Sequence, residues 1–99
     1  MLISEKAMSL EEALNLVNNL DTREALRKFS PQWSTIAVDE GGTIIAVIRH
    51  KERPTLQQNK EDLLKHPKSV QITAWPGRFN STEELAKAVE ECVWAHKNY

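Results

Sequence analysis

Ile44-Ile45-Ala46-Val47-Ile48 is the segment that most restricts what this chain can fold into. Five consecutive apolar residues, four of them β-branched, favour a strand, and strand geometry sends their side chains to both faces of a sheet. Neither face can then be left to water, so the segment predicts a central strand covered on both sides. A second β-rich run, Trp33 to Asp39, precedes it, and Glu40-Gly41-Gly42 joins the two. Two glycines accept the positive φ of a tight hairpin turn. The earlier strand alternates only in part, Ile36 and Val38 against Ser34, which predicts an edge position.

Helix signals flank the hairpin. Ser9 with Glu12 forms a capping box, and Leu10, Ala13, Leu14, Val17 and Leu20 recur at helical spacing. Glu11, Glu12, Asn15 and Asn18 then face water. Asp21 with Glu24 repeats the signature and predicts a short helix from Thr22 to Phe29, ended by Ser30-Pro31. A further short helix is expected over Leu56 to Lys65, capped by Thr55 or Asn59, and Pro67 stops it. Ser69 to Trp75 reads as a third strand and Pro76-Gly77 as a type II turn. Ser81 with Glu84 opens a C-terminal helix running to about Asn98.

The order helix, helix, strand, strand, helix, strand, helix predicts an α+β fold with helices packed on a small three-stranded mixed sheet. The second and third strands are expected to lie parallel, joined by a right-handed crossover. With 99 residues the chain has room for one core, and it carries no repeat or Gly/Ser linker, so 1–99 is read as one domain. Residues 1–8 are read as an N-terminal arm that can stay flexible.

Composition excludes several classes. No apolar run nears the ~20 residues that cross a bilayer, so no membrane partner is expected. Met1 to Lys6 shows no basic-then-apolar leader pattern. One cysteine, Cys92, rules out an internal disulfide framework and fits a reducing cytoplasm. A net charge of −1 argues against a wholesale polyanion binder.

Chemistry-bearing residues are few. On the last helix Leu85, Val89, Cys92 and His96 share a stripe, flanked by Ala88 and Val93. Trp94 falls roughly opposite Leu85, among Lys87, Glu90, Glu91 and Asn98. A tryptophan on a polar face is either covered by a loop or the N-terminal arm, or reserved for a partner. Cys92 and His96, four apart, could reach one metal ion, but no further ligand-spaced pair exists and the stripe suits a buried small thiol. An apolar surround raises a thiol pKa, which disfavours a Cys92 nucleophile.

Charge is uneven along the chain. Six Lys and Arg against three acidic residues between Arg49 and Lys68 give that connector +3 and leave −4 elsewhere. It is either a solvated face or an anion-recruiting ridge, with Arg49, Lys51 and Arg53 sharing one side of a strand-like continuation and His50 among them. Nucleic-acid motifs fail: Gly41, Gly42 and Gly77 cannot supply the Gly-x-x-Gly loop of a KH domain. Ile44 to Ile48 lacks the aromatics of an RRM strand, and no base-stacking aromatic accompanies the connector's basic residues. No Gly-rich phosphate loop or Ser–His–acid spacing is present, and Asp39-Glu40 at a hairpin tip suits solvation rather than acid–base work.

By elimination the sequence points to a small cytoplasmic protein-binding module, an adaptor, inhibitor or regulator, with no cofactor, metal or catalytic residue. Trp94, Arg49, Lys51, Arg53 and His50 are its candidate contact residues. The expected partner is another protein, or a second copy paired through the uncharged edge of the third strand. Two alternatives stand beside it. One is a nucleic-acid-associated factor using the 49–68 connector; the other is a small enzyme whose dimer interface brings His50, His66 or His96 to a carboxylate.

Overall fold

The apolar run occupies β3, Ile44–His50, in a computed structural model that describes residues 2–18, 33–50, 52–65, 69–75 and 77–98. Strand β1 is Leu2–Ser4, β2 is Trp33–Val38 and β4 is Val70–Ala74. Helix α1 spans Leu10–Asn18, α2 spans Leu56–Lys65 and α3 spans Thr82–Asn98. The fold is α+β, with strands and helices in the expected order; the helix expected over 22–29 lies outside the described residues.

Three long strands lie side by side as β3-β2-β4, and the short β1 extends the sheet beyond β3. Every pairing is antiparallel, so the sheet is not mixed. β3 and β4 do run in the same direction, but β2 lies between them, and the α2 connection crosses over it. β2 is therefore central rather than an edge. Its polar residues misled the alternation reading, because Ser34 and Thr35 are both buried. Thr35 Oγ1 shares a 2.9 Å hydrogen bond with His50 Nε2, which removes most of the cost of burying the hydroxyl. The segment expected as a free arm carries β1, which pairs Leu2 with Ile48, and a further bridge from Met8 to Ile44.

Local signals explain the elements. Ser9 Oγ accepts the Glu12 amide at 3.1 Å and donates to the Glu12 carboxylate at 3.4 Å. Thr55, not Asn59, caps α2: Gln58 N donates to Thr55 Oγ1 while Thr55 N donates to Gln58 Oε1. At α3, Ser81 Oγ accepts the Glu84 amide, and Glu84 Oε2 accepts the amide of Asn80. The hairpin turn is organised by Asp39, whose Oδ1 accepts the amides of Gly41 and Thr43 at 3.0 and 2.8 Å. Gly42 completes it at φ 87°, where an L side chain would be strained.

Packing against the sheet comes from α1 and α3. Ala13 and Val17 of α1 and Leu85 and Val89 of α3 close over Ile36, Val38, Ile44, Val47, Ile72 and Ala74. Alternation turns Thr35, Ala37 and Ala46 to the other face, where their burial shows that this side is covered too. α2 contacts β4. Asn59 Oδ1 of α2 and Gln71 Nε2 of β4 are both buried without a partner among the described residues, an acceptor and a donor on touching elements.

Two polar side chains pin α1 in place. Arg49 Nη2 donates to Leu16 O at 2.9 Å, tying β3 to the last turn of the helix. Asn18, expected to face water, is half-buried instead. Its Oδ1 accepts the Gly77 amide at 2.7 Å and its Nδ2 donates to Phe79 O at 3.0 Å, clamping the turn between β4 and α3.

The packing separates two leucines sharply. Leu85 is fully buried, and Leu85→Ala is expected to cost about 2–5 kcal/mol in denaturant unfolding. Leu56 is 82% exposed, and Leu56→Ala should stay within about 0.5 kcal/mol of the parent chain.

Candidate functional site

The apolar stripe of α3 runs out before the helix does. Leu85 and Val89 are buried, Cys92 and Val93 half-buried, and His96 exposed. Trp94 lies on the outward side, as its helical angle predicts, with 59% of its surface accessible. It walls a groove of about 540 Å³ between α3, the hairpin turn and the start of α1. Leu10, Ala86, Val89 and Val93 give the groove its apolar lining, and Gly41 and Gly42 contribute bare backbone on its hairpin side. Glu40 and Glu90 stand at its rim against one cation, Lys97. The indole is the largest side chain of a cleft whose described lining carries two carboxylates and one ammonium.

Of the basic candidates, Arg49 and Arg53 are not carried on one continued strand. β3 ends at His50, Lys51 lies outside the described residues, and Arg53 sits in coil. Arg49 is turned to the helix face and engaged by Leu16 O; burial lowers its pKa, though a guanidinium stays charged. His50 is held by Thr35. His66 lies outside the described residues, and His96 is exposed on α3.

Arg53 has a neighbour the sequence did not suggest. Its guanidinium carbon lies 5.5 Å from the ring centroid of Trp33. Trp33 in turn meets Trp75 edge to face, with centroids 5.4 Å apart and planes at 71°. Arg78 stands 5.3 Å over Trp75 and 5.1 Å over Phe79. Aromatics do therefore accompany a connector arginine. The register makes this possible: Ser34 pairs with Ala74, so residues 33 and 75 meet at the same end of adjacent strands. Nothing local in the sequence marks a contact across that separation.

Cys92 donates from Sγ to Gln71 O at 3.6 Å, and burial raises its thiol pKa above the ordinary value. Among the described residues no three His, Cys, Asp or Glu side chains converge on a metal site, and no helix is long and apolar enough to cross a membrane. Comparison with family models, with curated proteins and with solved structures finds no match.

Two outcomes test this geometry. Trp94→Ala should shift unfolding free energy by no more than about 0.5 kcal/mol, whereas a core tryptophan would cost about 3–5 kcal/mol. A raised thiol pKa means less thiolate at a given pH, so iodoacetamide should alkylate Cys92 more slowly at pH ~8 in the folded chain than in denaturant. The sign for stability follows. The unfolded chain loses this proton first, so the contribution is intact below the unfolded pKa and lost as pH rises through the folded one.

Proposed function

We propose that the protein is a small cytoplasmic binding module that docks a segment of another protein into the groove along α3. The observation that carries this reading is Trp94, a large indole held outward beside an apolar cleft by a helix whose other side is anchored in the core. Covering the exposed part of one indole is worth on the order of 3 kcal/mol before ordering costs are subtracted. Tryptophan is also among the residues most enriched at the energetic centres of interfaces. Two carboxylates against one ammonium at the rim favour a segment with apolar side chains and a flanking Lys or Arg. The lone, half-buried thiol suits a reducing compartment.

Affinity purification of the tagged chain, with and without nuclease, tests the proposal. A protein retained by the parent chain, indifferent to nuclease and lost with Trp94→Ala, is the expected result. Equal retention by both chains, or retention abolished by nuclease, would sink it. Light scattering adds one more outcome. β4 is an edge strand with no charged residue, and a mass rising above one chain with concentration would make a second copy the partner instead.

A further inference from the structure

We infer that the tryptophan–arginine ladder at the end of the sheet is a separate binding surface, and that its ligand is single-stranded nucleic acid. The ladder runs Arg53, Trp33, Trp75, Arg78 at successive spacings of 5.5, 5.4 and 5.3 Å, two rings between two cations, and the buried Phe79 backs Arg78 at 5.1 Å. A single strand presents flat bases flanked by phosphates, and proteins hold such strands by combining ring stacking with Lys and Arg contacts.

The surface is accessible and cationic. Trp75 is 47% exposed, and Arg53 and Arg78 are both exposed. Among the described residues neither guanidinium is ion-paired, although Glu52 is the chain neighbour of Arg53. Arg78 donates one Nη to Thr73 O, which fixes its plane and leaves other N–H groups for an anion. A guanidinium already held over a ring gives up little further freedom on binding phosphate, and its outer face can itself stack on a base. Arg53 also lies within the +3 stretch from Arg49 to Lys68, whereas the Trp94 groove has an acidic rim. An anion is thus drawn to the ladder and away from the groove. Stacking needs bases that are not already stacked in a duplex, so a single strand is favoured. An acidic peptide could satisfy the two arginines but would leave the rings unused.

Fluorescence anisotropy of labelled oligo(U) at low salt tests the inference, with inorganic polyphosphate and an oligo-glutamate peptide as competitors. Oligo(U) should bind with a log–log salt slope near about −1.4, from two phosphates at about 0.7 each. Trp75→Ala should weaken binding by about fivefold or more, and Arg53→Gln should flatten the slope by about 0.7. Trp94→Ala should leave binding unchanged, which separates this surface from the proposed protein groove. Absence of binding, or unchanged binding in Trp75→Ala, overturns the inference. Competition by polyphosphate as strong as by unlabelled oligo(U) reduces the ladder to a charge patch, and preference for oligo-glutamate makes its ligand an acidic protein. Should Trp75→Ala lose native circular dichroism, Arg53→Gln decides alone, since its exposed guanidinium makes no protein hydrogen bond among the described residues.

Discussion

Burial of β2 on both faces and both edges is the constraint on which the other elements depend. Ser34 to Val38 are all buried, with β3 hydrogen-bonded along one side and β4 along the other. A strand so enclosed must satisfy every polar group it carries. Thr35 does so through His50, which leaves Ile36 and Val38 to form the floor under α1 and α3. Because β4 joins on the far side of β2, the chain has to cross β2 after β3, and α2 lies in that crossing. The crossing leaves with Arg53 beside Trp33 and enters β4 at the other end of the sheet, where Val70 pairs with Val38, so β4 runs back and delivers Trp75 to Trp33.

Placement of the helix layer relies on directional bonds as well as apolar contact. Ridges of Ala13, Val17, Leu85 and Val89 supply the burial, but apolar packing alone leaves α1 free to slide or rotate. Arg49 fixes its C-terminal turn to β3, and Asn18 fixes the same end to the β4–α3 turn. A charge-assisted bond to a helix C-terminal carbonyl also complements the partial negative charge there. The one ion pair among the described residues, Lys6 to Glu12 at 4.0 Å, is exposed and contributes little by comparison. Arg49 is thereby engaged by the helix that it tethers.

Features set by short-range chemistry were legible in the sequence. The capping boxes at Ser9 and Ser81, the Asp39–Gly42 turn and the outward angle of Trp94 each involve residues within four positions of one another. Strand order was not legible, because nothing local in β4 distinguishes pairing with β2 from pairing with β3. The polar Ser34-Thr35 pair even pointed the wrong way, since the histidine that makes Thr35 tolerable inside is 15 residues on. Asn18 shows the same limit. Its partners lie 59 and 61 residues away, so a polar residue on a helix read as solvated when it is a clamp.

The two surfaces differ in charge and position in ways that follow from this topology. The groove belongs to the layer α3 forms over one face of the sheet, and its rim is acidic. Alternation puts Trp33 on the opposite face with Thr35 and Ala37, and Trp75 joins it at the strand ends. No residue lining the groove belongs to the ladder, but Phe79 behind Arg78 and Val89 in the groove wall share one hydrophobic core. Long-range charge between the two surfaces is screened by salt within about 10 Å at 0.1 M.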